Sequence, residues 1–139
     1  SVLYGDLVSF TSWAEAHDHE DAREFLATWS DTARRIVERF GGVVEKFIGD
    51  AVVATWGVPI AHEGDGERAV RAGLELVAAT AGLGEQIGVP NLALRVGIVT
   101  VEVSVVAGTS AQGAVAGDAV TAAGGVQAAA APGQDAAML

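Results

Sequence analysis

The stretch VVEKFIGDAVVATW, residues 43–56, decides the fold that this sequence predicts. Two runs rich in β-branched and aromatic residues, 43–48 and 51–56, flank the dipeptide Gly49-Asp50. Two such runs separated by a two-residue turn that contains glycine are typical of a β-hairpin. Asp50 is therefore expected in a turn, at one end of a sheet.

The segments on either side of the hairpin alternate between strand and helix patterns. Apolar β-branched runs predict strands, and apolar residues spaced i, i+3, i+4, i+7 predict helices. In chain order these segments are a strand over 2–8, a helix over 19–40, a helix over 62–84 and a strand over 91–106, with a bulge or turn expected near 97–102. Residues 118–131 predict a closing helix, and a further strand is expected to begin where the chain ends.

The order strand, helix, strand, strand, helix, strand predicts an α+β fold of the ferredoxin-like βαββαβ type. In this arrangement an antiparallel sheet has helices packed on one face. The first strand then lies beside the hairpin, which brings Asp6, near the end of that strand, toward Asp50. We expect the two carboxylates to meet at one end of the sheet.

The composition bounds the domain count and the classes of partner. The chain has 139 residues, 50% of them hydrophobic and 19% charged, which is typical of one folded domain. Because it lacks an initiating Met and opens directly into a strand pattern, we interpret residues 1–139 as a single domain cut from a longer protein and truncated at its C-terminus. A net charge of −10 argues against binding to nucleic acid or to an anionic membrane surface.

Cysteine usage and apolar run length exclude further classes of protein. The chain contains no cysteine, which excludes disulfides, thiolate catalysis and cysteine-ligated metal centres. No apolar run approaches the roughly 18 residues that a membrane-spanning helix needs. We therefore expect a cytoplasmic protein without a membrane segment.

Two converging carboxylates suggest a site for hard cations. Carboxylates without His or Cys neighbours favour Mg²⁺ or Mn²⁺, and two such ions can act on one phosphoryl group. The loop over 7–11 leads from Asp6 toward a helix start, whose N–H groups favour phosphate oxygens. Each residue also has an ordinary interpretation, since Asp50 suits a turn and Asp6 suits an edge position. We interpret the three histidines as structural or exposed; these are His17, His19 and His62.

Several motifs in combination identify a family resemblance. The motifs are VLYGDLVSFTS (2–12), ERFGGVVEKFIGDAVVATWGVP (38–59), AHEGDGERAVRAGLELV (61–77), LALRVGIVTVEV (92–103) and GAVAGDAV (113–120). Together they resemble the class III nucleotidyl cyclase catalytic domain, as found in bacterial multidomain regulators, over residues 2–127. The resemblance implies conversion of a nucleoside triphosphate to its 3′,5′-cyclic monophosphate and pyrophosphate, in intracellular signalling. It also implies two Mg²⁺ or Mn²⁺ ions per site and a site built at a dimer interface.

The resemblance assigns roles to residues that match the family motifs. Asp6 and Asp50 match the two metal-binding aspartates, and Leu7 would add its backbone carbonyl. Phe10 and Thr11 match the loop that wraps the triphosphate. Lys46 matches the lysine that reads the adenine edge and favours ATP over GTP.

The sequence departs from the family pattern in the half of the site that stabilises the transition state. Thr121 stands where the family has an Asn that orients the ribose, and Gly125 stands where it has an Arg that neutralises the phosphate. The acidic partner of the base-reading lysine falls on Ala114, which leaves ATP against GTP open, and Val101 replaces a family glycine. A further family lysine would lie past Leu139. Losing one preorganised charge stabiliser typically costs about 10²–10³ in rate.

Three interpretations follow from this mixture. In the first interpretation the chain is a nucleotidyl cyclase domain. Its homodimer would be weak or inactive, whereas a heterodimer with a complete cyclase domain would have one working site. Alternatively, the chain is a catalytically lapsed, cyclase-like module that binds nucleotide or a partner and regulates through dimerisation. In a third interpretation the chain is a ferredoxin-like domain whose carboxylates are ordinary surface groups.

Overall fold

The computed structural model describes residues 1–58, 60–89, 91–101, 117–130, 132–133 and 135–138. The strands are β1 (Val2–Val8), β2 (Val43–Ile48), β3 (Ala51–Thr55), β4 (Ala93–Val99) and β5 (Asp135–Met138). The helices are α1 (Phe10–Ala16), α2 (His19–Arg39), α3 (Asp65–Gln86) and α4 (Gly117–Ala129). The strands predicted over 2–8, 43–48 and 51–56, the hairpin and the three predicted helices are present, with shifts of one to three residues at most helix ends. The strand predicted over 91–106 ends at Val99 in β4, and residues 102–106 of that prediction lie outside the described residues.

The strands form one sheet in the order β2-β3-β1-β4-β5. Among the first four strands of this order each runs antiparallel to its neighbours, and β5 runs parallel to β4. The order of β1 to β4 is that of a ferredoxin-like βαββαβ sheet, so the predicted fold is confirmed. The strand expected at the end of the chain is β5, which already begins at Asp135.

The main core lies between the sheet and the helices α2 and α3. Trp29 and Val37 of α2 and Leu76 of α3 are buried against strand residues such as Val52 and Ile98. The indole N–H of Trp29 donates to Thr80 at 3.2 Å, so this buried polar group is satisfied. These two helices account for the predicted helical face of the sheet.

The helix α4 packs on the opposite face of the sheet. Its Ala123 is buried in a second, smaller cluster with Val2, Val53 and Val99, which alternate along their strands with residues of the main core. The prediction that helices pack on one face therefore describes α2 and α3, whereas α4 makes a third layer. The sequence gives little signal for this, because the small residues of α4 form only a weak apolar face.

A glycine in β4 explains the position of α4. A Cβ atom built on Gly97 would lie 2.1 Å from the backbone N of Gln127 and 2.4 Å from the O of Ala123. The bulge or turn predicted near 97–102 is wrong for Gly97, which pairs regularly with Tyr4. The described bulge lies instead in β2, between Val44 and Lys46. Glycine at 97 serves close approach of a helix rather than a bend.

The helix starts also differ from the sequence prediction for local reasons. The helix α3 begins at Asp65 rather than at residue 62, because Gly64 has the left-handed φ of 82° that ends the preceding loop. Residues 9–12, predicted as a loop or a helix start, lead into α1, which runs to Ala16. In the part of the chain that the structure describes, no helix is both long and apolar enough to cross a membrane.

Candidate functional site

Asp6 and Asp50 lie at the same end of two neighbouring strands. Asp6 of β1 pairs with Ala51 of β3, the residue that directly follows Asp50. The backbone N–H of Leu7 donates to the carbonyl of Asp50 at 3.1 Å, which ties the turn to the end of β1. The hairpin register and this hydrogen bond therefore bring together the two aspartates that the sequence predicts to converge.

The two aspartates also influence one another electrostatically. Burial raises the pKa of the Asp6 carboxyl above its ordinary value, the facing Arg95 guanidinium lowers it, and the negative charge of Asp50 raises it again. The net direction is upward. Two carboxylates that repel one another at a sheet end are relieved by a cation placed between them, which is the usual condition for hard divalent ions.

The donor atoms at this end suit a hard cation that keeps other ligands. The N–H and C=O of a strand residue face the same neighbour, so the Leu7 carbonyl also faces the Asp50 turn. The described residues contain no group of three or more His, Asp or Glu side chains that would enclose an ion. Mg²⁺ is commonly held by one or two carboxylates, with waters and substrate phosphates completing its shell. Two carboxylates and one carbonyl fit this pattern.

Two further residues adjoin Asp6 that the sequence analysis missed. Arg95 of β4 faces Asp6 in the strand register, and its Nε is buried without a hydrogen-bond partner among the described residues. Gln127 of α4 donates from Nε2 to Oδ1 of Asp6 at 2.5 Å. A lone arginine inside the apolar run LALRVGIV is a signal that could have identified Arg95. No sequence signal marks Gln127, because its contact joins segments 121 residues apart.

The loop after β1 contains one strained residue and one anchor. Ser9 has a φ of 70°, a left-handed conformation that non-glycine residues rarely adopt. Phe10 is buried at 7% exposure and stacks on Phe25, with ring centroids 5.6 Å apart. Thr11 is exposed. The Phe10 side chain thus anchors α1 in the core, which leaves Thr11 and the backbone as the groups that can face a ligand.

Lys46 lies apart from the two aspartates. It is exposed on β2, the strand at the edge of the sheet, and its register partner is Val53. Within the described ranges, it forms no salt bridge with Asp6 or Asp50.

The outer face of α4 has small side chains where the family pattern has Asn and Arg. Thr121 and Gly125 are both exposed, one helical turn apart. Apart from the glycine, its two chain neighbours and the backbone of the surrounding helix, no described atom lies within 4 Å of a Cβ built on Gly125. Val101 is exposed at 40%, and Ala114 lies outside the described residues.

The three histidines lie at exposed positions outside the candidate site. His17 stacks on Trp13, with ring centroids 4.5 Å apart, and its Nδ1 is 2.8 Å from the Trp13 carbonyl. His19 and His62 are exposed. The interpretation of all three as structural or exposed agrees with these positions.

Comparison with known proteins now identifies the family. The family model described as "Adenylate and Guanylate cyclase catalytic domain" matches residues 1–135. The chain belongs to this family. The similarity covers almost the whole chain, so the resemblance inferred from the motifs is confirmed.

Solved cyclase structures share the fold. The adenylyl cyclase CyaB from P. aeruginosa superposes with a TM-score of 0.84 at 24% identity, covering 96% of this chain and 73% of that one. The guanylyl cyclase Cya2 superposes with a TM-score of 0.82 at 26% identity, covering 96% and 71%. This chain is therefore similar in fold to both an adenylyl and a guanylyl cyclase, and the similarity does not distinguish ATP from GTP as the substrate.

The chain also matches a short part of a much longer curated protein. The chain is 31% identical over 100 residues to the uncharacterized protein R02095 of Rhizobium meliloti. The match covers 72% of this chain but only 10% of that protein. The chain spans about a tenth of the length of the curated relative that it matches.

Proposed function

We propose that this chain is a nucleotidyl cyclase domain that binds a nucleoside triphosphate through divalent cations at Asp6 and Asp50. The observation that carries the proposal is the placement of these carboxylates at one sheet end, where burial raises the pKa of Asp6 and the charge of Asp50 raises it further. Family membership and the hard-ligand character of the donors support it. The reaction forms a 3′,5′-cyclic monophosphate and releases pyrophosphate.

The chain's own residues divide into those that bind and those that select. Asp6 and Asp50 would hold Mg²⁺ or Mn²⁺ together with the Leu7 carbonyl, and Thr11 with the backbone beside Phe10 would face the triphosphate. When bound, two such ions activate an attacking oxygen and stabilise the leaving one on a phosphoryl group. Lys46 supports ATP over GTP as the substrate. We also propose that the domain belongs to a longer cytoplasmic signalling protein.

We propose that the active assembly is a dimer in which a partner supplies what α4 lacks. Thr121 and Gly125 offer neither the amide nor the guanidinium that the family places there, and Gly125 has no side chain at all. A homodimer would repeat this loss at both of its sites. A complete cyclase partner would contribute its own Asn and Arg to the site formed by Asp6 and Asp50 of this chain.

A second candidate function is favoured by the same two residues. A lapsed module that binds metal and nucleotide without turnover would keep Asp6 and Asp50 and tolerate Thr121 and Gly125. The two candidates share the binding step and differ in turnover.

A cyclase assay with Mn²⁺ distinguishes these candidates. The chain is assayed alone and mixed with a homologous cyclase domain whose two metal aspartates are replaced by Ala. We expect little cyclic nucleotide from either protein alone and clear production from the mixture. No production from the mixture, with normal binding of Mn²⁺ and ATP, would establish the lapsed module. No binding at all would contradict both candidates.

A further inference from the structure

The side chain of Gln127 is a buried polar group in a helix made mostly of small apolar residues. It is 6% exposed, and its neighbour one turn earlier, Ala123, is completely buried. Burying an amide without a hydrogen bond costs free energy, so a buried amide is usually found where it has a hydrogen-bond partner. Its partner is Oδ1 of Asp6, at 2.5 Å.

The backbone beneath Gln127 is held tightly against the sheet. Because Gly97 has no Cβ, the backbone N of Gln127 can approach the strand closely. A Cβ on residue 97 would lie only 2.1 Å from that N atom. Gly97 lies two residues beyond Arg95, which faces Asp6 in the register. The start of the Gln127 side chain is therefore fixed relative to the strand that neighbours Asp6, and its amide has little freedom to move away.

The chemistry of this contact preserves the charge of Asp6. An amide N–H is a neutral donor and uses one of about four acceptor positions on a carboxylate. It leaves Oδ2 without this bond and leaves the negative charge intact, whereas a salt-bridged cation in the same place would compete with a metal ion. Hydrogen bonds to metal-ligating carboxylates fix their orientation, and losing one typically costs 10–100-fold in metal affinity.

We propose that Gln127 is a positioning residue that orients the Asp6 carboxylate for divalent cations. The inference rests on the proposed function, because it takes Asp6 as a metal ligand. It also gives α4 a second role in the site. The outer face of the helix bears Thr121 and Gly125, and its buried face holds Asp6 in place.

The test measures Mn²⁺ affinity without nucleotide, by electron paramagnetic resonance on the whole chain. Gln127→Met keeps the length of the side chain and removes the donor. We expect it to weaken binding by about 10–100-fold. Gln86→Met, at an exposed position near the end of α3, is the matched control and should leave the affinity within about twofold. Unchanged or tighter binding in Gln127→Met would overturn the proposal.

Asp50→Ala separates failure of this inference from failure of the proposed function. Mn²⁺ binding that persists in Asp50→Ala is adventitious and is subtracted. If the unaltered chain binds no more Mn²⁺ than Asp50→Ala does, the metal site itself is refuted and the role of Gln127 with it. If the subtracted binding is real and Gln127→Met retains it, only the positioning role is refuted.

A second measurement needs no substitution, in case Gln127→Met does not fold. The side-chain amide of Gln127 gives its own resonances in a ¹⁵N-resolved NMR spectrum. On addition of Mg²⁺ we expect these resonances to shift while the hydrogen-bonded proton stays protected from exchange. A Gln127 amide that Mg²⁺ leaves unshifted, or releases to free exchange, would contradict the proposal.

Discussion

The Asp6–Asp50 end of the sheet and the outer face of α4 are built in different ways. The positions of Asp6 and Asp50 follow from strand register and from the backbone hydrogen bond between Leu7 and Asp50. Thr121 and Gly125 lie on an exposed helix face where, among the described atoms, nothing packs around position 125. The first arrangement persists as long as the sheet folds, whereas the second can change without cost to the fold.

Under the proposed function, this difference accounts for a chain in which Asp6 and Asp50 match the family motifs while Thr121 and Gly125 do not. Substitutions on an exposed helix face usually change stability by less than about 0.5 kcal/mol, and by about 1 kcal/mol where glycine is introduced, so the fold resists them only weakly. Asp6 also accepts a hydrogen bond from Gln127, which lies on the buried face of the same helix. The two faces of α4 can therefore change independently of one another.

The largest expected effect comes from restoring the outer face of α4. Thr121→Asn combined with Gly125→Arg should raise the Mn²⁺-dependent cyclase rate of the chain alone by at least about 10²-fold, because the Arg would stabilise charge in the transition state and the Asn would orient the ribose. The gain in the pair exceeds the sum of single gains if the two groups act together.

Matched substitutions on the same helix control for nonspecific charge. Ala128→Asn and Ala129→Arg add the same groups at other exposed positions of α4 and should leave the rate unchanged. A restored pair that binds Mn²⁺ and ATP normally but remains as slow as the original would show that the defect lies elsewhere.

The next largest expected effect is loss of ligand binding at the Asp6–Asp50 end of the sheet. Asp50→Ala should abolish the thermal stabilisation that Mg²⁺ and ATP give together, which is about 2.7 kcal/mol at a ligand concentration of 100 times Kd. The backbone carbonyl that accepts from Leu7 remains in this variant, so the hairpin should fold. The exposed Asp31→Ala on α2 is the control and should keep the full shift. Equal shifts in both variants would make Asp50 a turn residue without a metal role.

The sequence predicted the sheet and the convergence of Asp6 and Asp50 because both depend on local signals. The two-residue hairpin and the helical periodicity of 19–40 are short-range patterns, and the βαββαβ order then leaves few topologies. The placement of α4 on the opposite face was not predicted. Its decisive feature is the contact of Gly97 with a helix backbone about 30 residues away, which no local pattern indicates.

The same distinction explains which site residues were missed. Arg95 could have been found as a charge inside a buried strand, whereas Gln127 is an unremarkable residue in an alanine-rich segment. The assigned roles of Phe10, Thr11 and Lys46 came from family motifs and stay predictions. The buried ring of Phe10 moves attention from that side chain to the backbone beside it.

A pair of glycine substitutions compares the tight side of α4 with its open side. Gly97→Ala should destabilise the chain by about 1–3 kcal/mol or more, because its Cβ would overlap the backbone of α4. Gly125→Ala should stabilise it by up to about 1 kcal/mol, because alanine favours the helix and has open space there. Urea unfolding measures both. A Gly97→Ala variant as stable as the original chain would mean that α4 does not rest on Gly97 as described, and a destabilised Gly125→Ala variant would mean that position 125 is not open.

The smallest expected effect tests the electrostatics of Asp6 in the absence of metal. Because the pKa of Asp6 is raised in the folded chain by burial and by Asp50, the folded state binds the proton more tightly than the unfolded state does. The ionised carboxylate therefore lowers stability at pH 7 in the presence of EDTA. Asp6→Asn removes the charge and still accepts from Gln127, so its unfolding midpoint should be higher at pH 7.

The pH dependence of that difference decides its cause. It should shrink as the pH falls through the raised pKa and vanish below the ordinary value of 3.8, where both states of the original chain are protonated. The exposed Asp31→Asn is the control and should show no such pH-dependent gain. A gain in Asp6→Asn that persists at pH 3 would assign it to amide packing rather than to charge. If Asp6→Asn is no more stable than the original chain at pH 7, Arg95 already offsets the cost of the Asp6 charge.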